Sequence, residues 1–133
     1  MGIVPQIWLC SISGLAGAAI TFAFGGWAES LTLLVVAMGI DYVTGIAATI
    51  KEGKGLNSVF GSWGLARKGL MLLVILLTHR IDVLLELNNV TMGGAIYFYI
   101  ANELISITEN YGRIGLPLPE QLRKIIEVLK EKK

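Results

Sequence analysis

The basic residues of this chain are confined to two stretches. Apart from Arg80, every Lys and Arg of the 133 residues lies either between Lys51 and Lys68 or between Arg113 and Lys133. The stretches between them are apolar and long enough to cross a bilayer. Only 16% of the residues are charged and 54% are hydrophobic, whereas about 25% are charged in soluble domains. A soluble unit of this size has too little interior to bury so much apolar surface, so the pattern predicts an all-α integral membrane protein.

Four segments contain the roughly 20 mostly apolar residues that a helix needs to cross the hydrocarbon core. They cover about residues 3–24, 31–50, 69–87 and 91–110. The pairs Gly25-Gly26 and Asn88-Asn89 interrupt the pattern between segments, as turn residues do. We therefore predict a transmembrane domain over residues 1–112 with four helices, followed by a basic amphipathic tail over residues 113–133.

The distribution of cations predicts the orientation of these helices, because Lys and Arg concentrate in cytoplasmic loops. The second join and the tail carry the cations, and the first and third joins carry none. Four spans then place both termini and the second join inside. A three-span arrangement would put the two basic clusters on opposite sides, and it requires one segment to lie in the interface. Segment 3–24 either spans the membrane or lies on it.

Two further stretches are predicted to lie at the membrane surface. Trp63, followed by Arg67 and Lys68, has the aromatic and cationic composition of an interface anchor. The glycine-rich run 61–64 predicts a bend or a short surface helix. In the tail, one face of the expected helix is apolar and the other charged, which is typical of helices that lie on an anionic membrane surface. The apolar positions are Leu118, Leu122, Ile125, Ile126 and Leu129.

Ionisable side chains inside the predicted spans are candidate functional residues, because a central Asp or Arg opposes insertion by about 2.5–3.5 kcal/mol. They are Asp41, His79, Arg80, Asp82 and Glu103. Arg80 and Asp82 are two residues apart and therefore on different helix faces. Arg80 is thus expected to pair with a carboxylate of another helix, with Asp41 and Glu103 as candidates.

A polar stripe is predicted along the fourth span, where Asn102, Ser106 and Asn110 recur at four-residue spacing with Glu103 beside them. Two interpretations of all these polar groups remain open. They either hold the helices together or line an aqueous path between subunits. Helix packing is assigned to the small residues Gly14, Ala18 and Gly45, and the Gly14/Ala18 pair suggests oligomerisation. The single cysteine, Cys10, is expected to be a buried side chain.

From Asp41 onward, the chain resembles the phage lysis and toxin-secretion holin family. The resemblance rests on the order of several short motifs between about Leu31 and the C-terminus. They are Asp41-Tyr42-Val43-Thr44-Gly45-Ile46, Leu56-Asn57-Ser58, Gly64-Leu65-Ala66-Arg67-Lys68-Gly69, Asp82, Tyr97-Phe98-Tyr99-Ile100-Ala101-Asn102-Glu103, Ser106, Glu109-Asn110, Gly115 and Pro117-Leu118-Pro119. Arg80 has no confident match in that pattern.

The resemblance implies a multi-pass protein of the bacterial cytoplasmic membrane that acts by assembly. Such a protein oligomerises with itself in the lipid bilayer and opens timed lesions through which an endolysin or a toxin leaves the cell. It needs no catalytic residues, cofactor, metal or nucleic acid, and the sequence offers no nucleophile–base pair or metal-ligand spacing. The alternatives are a small proton- or ion-coupled transporter, or a non-conducting membrane scaffold or holin antagonist.

Overall fold

The computed structural model describes residues 3–55 and 58–132, and these fold into five helices without a strand. The helices are α1 (Ile3–Phe24), α2 (Glu29–Lys51), α3 (Ser58–Leu85), α4 (Val90–Ile114) and α5 (Glu120–Lys132). The all-α prediction is confirmed for these residues. Leu56 and Asn57, which belong to one motif of the resemblance, lie outside the described residues.

Helix α4 is the central element of the bundle. It packs along α2, crosses α3, and receives α5 at its C-terminal end, whereas within the described residues α1 contacts only α3. Apolar side chains spaced three and four residues apart form the shared core of α2, α3 and α4. Its buried members are Leu31, Leu34, Met38, Ile75, Met92, Ile96 and Ile100. In a bilayer, close packing of such side chains holds helices together, because lipid tails are as apolar as the core.

The outer surface of the bundle is strongly apolar. Large hydrophobic side chains are exposed on every long helix, for example Leu15 (73% exposed), Val43 and Leu84, whereas soluble proteins keep contiguous exposed apolar patches small. Three helices are long and apolar enough to cross a membrane, within the ranges Val4–Phe24, Glu29–Lys51 and Val90–Ile114. Helix α3, which carries Arg67, Lys68, Arg80 and Asp82, is not among these three.

Helix α3 begins well before the predicted third span. It starts at Ser58 rather than near Gly69, and the glycine-rich run 61–64 is part of the same continuous helix. The prediction of a bend or a separate surface helix was therefore wrong. Tyr42 of α2 packs against this run. Its hydroxyl donates a hydrogen bond to the carbonyl of Gly61 at 3.3 Å, and a Cβ at Gly61 would stand a tight 3.3 Å from the same oxygen.

The two predicted breaks at Gly25-Gly26 and Asn88-Asn89 are confirmed as turns. Gly25 and Gly26 have positive φ angles, and they separate α1 from α2. Asn88 and Asn89 also have positive φ, which Asn tolerates better than most residues. The two turns meet at His79, whose ring is buried. Its Nδ1 lies 2.8 Å from Oδ1 of Asn89, and its Cε1 stands 2.7 Å from where a Cβ of Gly25 would be.

We expect Gly25→Ala to destabilise the protein through His79. The new methyl group would clash with a ring that cannot move without losing its contact to Asn89, and overpacking of this kind costs about 1–3 kcal/mol. In a His79→Ala background that part of the cost should disappear, leaving only the backbone strain of alanine at positive φ. Unfolding of the four proteins in mixed detergent micelles gives the coupling free energy. Equal effects of Gly25→Ala in both backgrounds would contradict the clash.

Candidate functional site

One lysine joins three helices in the middle of the bundle. The Nζ of Lys68 (α3) donates hydrogen bonds of 2.8 Å to Oδ2 of Asp41 (α2) and 2.8 Å to Oε2 of Glu103 (α4). The three side chains are largely withdrawn from solvent, with exposed fractions of 15% for Lys68, 17% for Asp41 and 5% for Glu103. We call Asp41, Lys68 and Glu103 the charged triad.

The helical repeat explains why Lys68 faces inward. Lys68, Ile75, His79 and Asp82 follow one another at intervals of seven, four and three residues, so they share one face of α3. Ile75, His79 and Asp82 are all buried. On α2 and α4, Asp41 and Glu103 likewise continue the faces that bury Leu34 and Ile96, seven residues away from each.

Asn110 extends the triad toward the C-terminal end of α4. Its Nδ2 donates to Oδ1 of Asp41 at 2.8 Å, to the Asp41 carbonyl at 3.0 Å and to Oγ1 of Thr44 at 3.0 Å. Thr44 in turn donates to the carbonyl of Ile40. Every buried side-chain nitrogen and oxygen among the described residues has a hydrogen-bond partner. The charged triad is thus embedded in a fully satisfied polar network, which is the condition under which buried charges are tolerated.

Two polar cavities open beside the triad. The first, of about 230 Å³, lies between α2, α3 and α4 and is lined by Asp41, Lys68 and Glu103, with Arg67, Glu109 and Arg113 around them. The second, of about 570 Å³, is lined by Asn102, Glu103 and Ser106 together with Arg67 and Tyr99. Each is large enough for several water molecules, and polar walls favour their presence.

A second set of polar contacts closes the end of the bundle where α2 and α4 terminate. Arg113 donates from Nε to Oε1 of Glu52 at 3.0 Å and also from Nη2 to the same oxygen, and Lys51 donates to the carbonyl of Ile114. The hydrogen bond from Arg113 holds the pKa of Glu52 below its ordinary value. The stabilisation from this pair is therefore complete above the ordinary pKa, and it is lost as the pH falls through the lowered one.

Asp82, at the other end of the bundle, caps a helix. Its carboxylate accepts hydrogen bonds from the backbone N–H groups of Thr91 (3.2 Å) and Met92 (2.8 Å) in the first turn of α4. The N-cap residue Asn89 makes no side-chain cap bond of its own, so Asp82 satisfies donors that the helix terminus leaves free. Asp82 and His79 are thus inter-helix polar residues that connect α3 to the turn before α4.

The predicted pairing of Arg80 was wrong. Arg80 is exposed, its guanidinium lies 4.5 Å from the ring centroid of Phe22, and its Nη1 donates to the Phe22 carbonyl at 3.4 Å. Asp41 and Glu103 are paired with Lys68 instead. The helical repeat gives the reason, because Arg80 lies about 120° around α3 from Lys68 and so points toward α1.

The remaining predicted residues fall into different environments. Trp63 and Arg67 are exposed, whereas Lys68 points into the bundle. Asn102 and Ser106 are half-buried in cavity walls. Gly45 faces Asn110 across the contact between α2 and α4. Gly14 has open space where its Cβ would be, Ala18 is exposed, and Cys10 is exposed rather than buried because α1 packs so little against the bundle.

Sequence reasoning missed the role of Lys68 and the pair between Glu52 and Arg113. Lys68 is predicted from the sequence to be an interface anchor, because the apolar run begins only at Gly69. The signal that could have identified its inward position is the periodicity of Ile75 and His79, extended backward from Ile75 by two turns of the helix. Glu52 and Arg113 flank predicted spans, and nothing in the sequence pairs them.

Helices with an apolar exterior and a charged, hydrogen-bonded interior define a helical membrane protein. Comparison with known proteins adds the family: the bacteriophage holin family matches residues 18–131. A probable holin of Bacillus phage phi105 is 36% identical over 104 residues, which cover 78% of this chain and 76% of the phage protein. The chain therefore belongs to the bacteriophage holin family, as the resemblance predicted.

Two bacterial relatives are more similar in sequence. An uncharacterized protein of Halalkalibacterium halodurans is 42% identical over 123 residues, covering 89% of this chain and 90% of its own length. An uncharacterized 14.9 kDa protein encoded 3′ of nagH in Clostridium perfringens is 40% identical over 119 residues, covering 88% and 89%. No solved structure matches the chain. Family membership supports a holin role for a membrane protein, and a non-enzymatic one.

Removing only the cation of the triad should be costly. Lys68→Met leaves two neighbouring carboxylates without their counter-ion, and breaking a buried ion network in this way costs on the order of 3 kcal/mol. The triple variant Asp41→Asn, Lys68→Met, Glu103→Gln removes all three charges together, so no uncompensated charge stays buried and most of that cost should be recovered. Unfolding in mixed detergent micelles measures both. The control Lys54→Met, in the exposed loop, should change stability by less than about 0.5 kcal/mol. If Lys68→Met were as stable as the triple variant, the role of the Lys68 ion pairs in stabilising the bundle would be refuted.

Proposed function

We propose that this protein is a holin that oligomerises in the bacterial cytoplasmic membrane and opens timed lesions, through which an endolysin or a toxin leaves the cell. The observation that supports the proposal is the polar network of the charged triad and Asn110, which is enclosed within an otherwise apolar bundle. Asp41 and Glu103 lie roughly 15 Å from the ends of their helices at Lys51 and Ile114, at 1.5 Å per residue. That distance is about half the thickness of a hydrocarbon core.

The mechanism we propose has two states that use the same polar groups. In the silent state, the charged triad, Asn110 and the cavity walls are enclosed between α2, α3 and α4. In the lytic state, many subunits reassociate and these faces line water. Glu103 and Lys68 do not fit a lipid-facing surface, because charged side chains in hydrocarbon need partners or water. Asn102 and Ser106, already on cavity walls, would extend the wet surface along α4.

In the proposed topology, α1, α2, α3 and α4 all span the membrane, with both termini and the loop around Lys54 in the cytoplasm. The apolar part of α3 from Gly69 to Leu85 supports this, since the inward His79 and Asp82 have partners and, apart from Arg80, the exposed side chains are apolar. The turns between α1 and α2 and between α3 and α4 then lie together on the outer side, and their shared contact with His79 supports a position on the same side of the membrane.

Thiol labelling tests that topology. In a Cys10→Ser background, single cysteines at Ala28 and Leu87 should react with a membrane-impermeant reagent in intact cells. Cysteines replacing Lys54 and Glu131 should react only after the membrane is opened. The four positions are exposed turn, loop or tail residues, so unreactivity cannot reflect burial in the monomer. Labelling of Ala28 and Leu87 from opposite sides would refute the four-span arrangement.

Inducible expression in a bacterium tests the function itself. We expect growth to continue for a fixed interval, then an abrupt loss of membrane potential, with a fall in optical density only when a leaderless endolysin is co-expressed. Sustained growth with intact potential, at membrane levels verified by immunoblot, would contradict the holin proposal and favour an antagonist or scaffold.

The timing of lysis should respond to the triad. Because Lys68→Met destabilises the silent packing, it should advance the loss of potential, and adding Asp41→Asn and Glu103→Gln should remove that advance. The control Lys54→Met removes one cation from the same proposed cytoplasmic region without touching the triad, so it should leave the timing as in the unmodified protein. Identical timing of Lys68→Met and Lys54→Met at equal membrane levels would refute the two-state mechanism.

A further inference from the structure

Only one edge of the apolar face of α5 is covered by the protein. Ile126 is 2% exposed, and α5 contacts α4 alone among the other described helices. Leu122 and Leu129, beside Ile126, are half-buried. Ile125 and Val128 belong to the same apolar face, yet they are 57% and 50% exposed. At about 100° per residue, these five side chains span an arc of roughly 160°, which also includes the exposed Gln121 between Ile125 and Val128. Helix α4 covers only the part around Ile126.

Charged side chains surround this arc in a definite order. Lys124 follows the arc on the side of Val128, and Lys130 and Arg123 follow it on the side of Ile126. The acidic residues Glu120, Glu127 and Glu131 lie opposite the arc. This order suits a helix lying in a headgroup region, where the apolar edge enters the acyl boundary, flanking cations extend to phosphates, and carboxylates stay in water.

The connection to α4 keeps α5 close to a membrane surface. Helix α4, one of the three candidate spans, ends at Ile114 and is closed by Gly115 in the left-handed conformation. Only residues 115–119 separate it from α5, and Pro117 and Pro119 restrict their conformation. At most about 3.5 Å per residue, this connection spans less than roughly 20 Å. The exposed edge of α5 is therefore held within reach of the headgroups that surround the end of α4.

We propose that the exposed edge of α5, formed by Ile125 and Val128 with Lys124 beside them, binds the anionic lipid surface of the leaflet in which α4 ends. This inference rests on the proposed topology only for which leaflet is meant. The apolar pair supplies the insertion, and Lys124 supplies the preference for anionic headgroups. Helix α5 then connects α4 to the bilayer, because Ile126 packs against α4 while Val128 contacts the lipid. Lipid charge would thus act on the C-terminal half of α4, which carries Glu103 and Asn110.

The experiment uses the full chain reconstituted into vesicles, with Cys10→Ser and one nitroxide label at Val128→Cys. The matched control carries the label at Glu127→Cys, about 100° around α5 from Val128 and among the acidic residues. Power-saturation EPR compares collisions with oxygen and with a water-soluble nickel chelate. In equimolar phosphatidylglycerol and phosphatidylcholine, the label at position 128 should be shielded from nickel and accessible to oxygen, whereas the label at position 127 should remain in water.

The electrostatic contribution is tested by lipid, charge and salt. Lys124→Gln should lower the ratio of docked to undocked α5 by about fivefold, the value of one cation near an anionic surface. Pure phosphatidylcholine, or salt near 1 M, where the screening length is about 3 Å, should weaken docking similarly. Equal nickel access at positions 127 and 128, or shielding that is the same in both lipids, would overturn the proposal. Shielding accompanied by spin–spin broadening, relieved by dilution with unlabelled protein, would assign the edge to a second copy and also overturn it.

This readout is independent of lysis. A chain that docks α5 on anionic lipid but never collapses the membrane potential would refute the holin proposal and leave this inference standing. A chain that lyses cells without lipid-dependent shielding at position 128 would support the holin proposal and refute this inference.

Discussion

The ammonium group of Lys68 determines how the three inner helices are arranged. It is the one cation of the charged triad, and it faces carboxylates from both α2 and α4 at 2.8 Å. Two like charges at close range repel, so Asp41 and Glu103 can share this site only because a cation lies between them and Asn110 adds donors to Asp41. The position of α3 across α2 and α4 is therefore specified by charge as well as by packing.

The end of the bundle that holds the turns between α1 and α2 and between α3 and α4 uses polar groups for a different purpose. Asp82 and His79 lie in the same apolar helix as Lys68, yet Asp82 satisfies the first N–H groups of α4 and His79 fills the space between two turns. Both roles are local. The presence of an ionisable residue in an apolar helix does not by itself assign it a function. Such a residue can also satisfy the free N–H groups at the terminus of a neighbouring helix.

The fold was more predictable than the pairing of charges. Hydropathy and the turn residues Gly25 and Asn89 located the turns between α1 and α2 and between α3 and α4, because each is a local property of the chain. Asp41 and Glu103 were also identified, since a carboxylate within an apolar run has to be explained. Their partner was not, because choosing between Arg80 and Lys68 depends on the rotation of α3, which is fixed by tertiary packing, mainly against α4. The continuity of α3 through the glycine-rich run escaped prediction for the same reason, since Tyr42 is distant in sequence.

The difference between the contacts at the turn end and those at the charged triad bears on how such a bundle could open. The turn end is held by hydrogen bonds within short segments around His79 and Asp82, which separation of α2 from α4 does not have to break. The charged triad, in the middle of the bundle, is held by ion pairs between three helices and lies beside two polar cavities. Water entering those cavities would weaken the ion pairs by raising the local dielectric, and the carboxylates would exchange a shared cation for hydration. If the proposed rearrangement occurs, its least costly beginning is therefore at the triad, with the turn between α3 and α4 acting as the hinge.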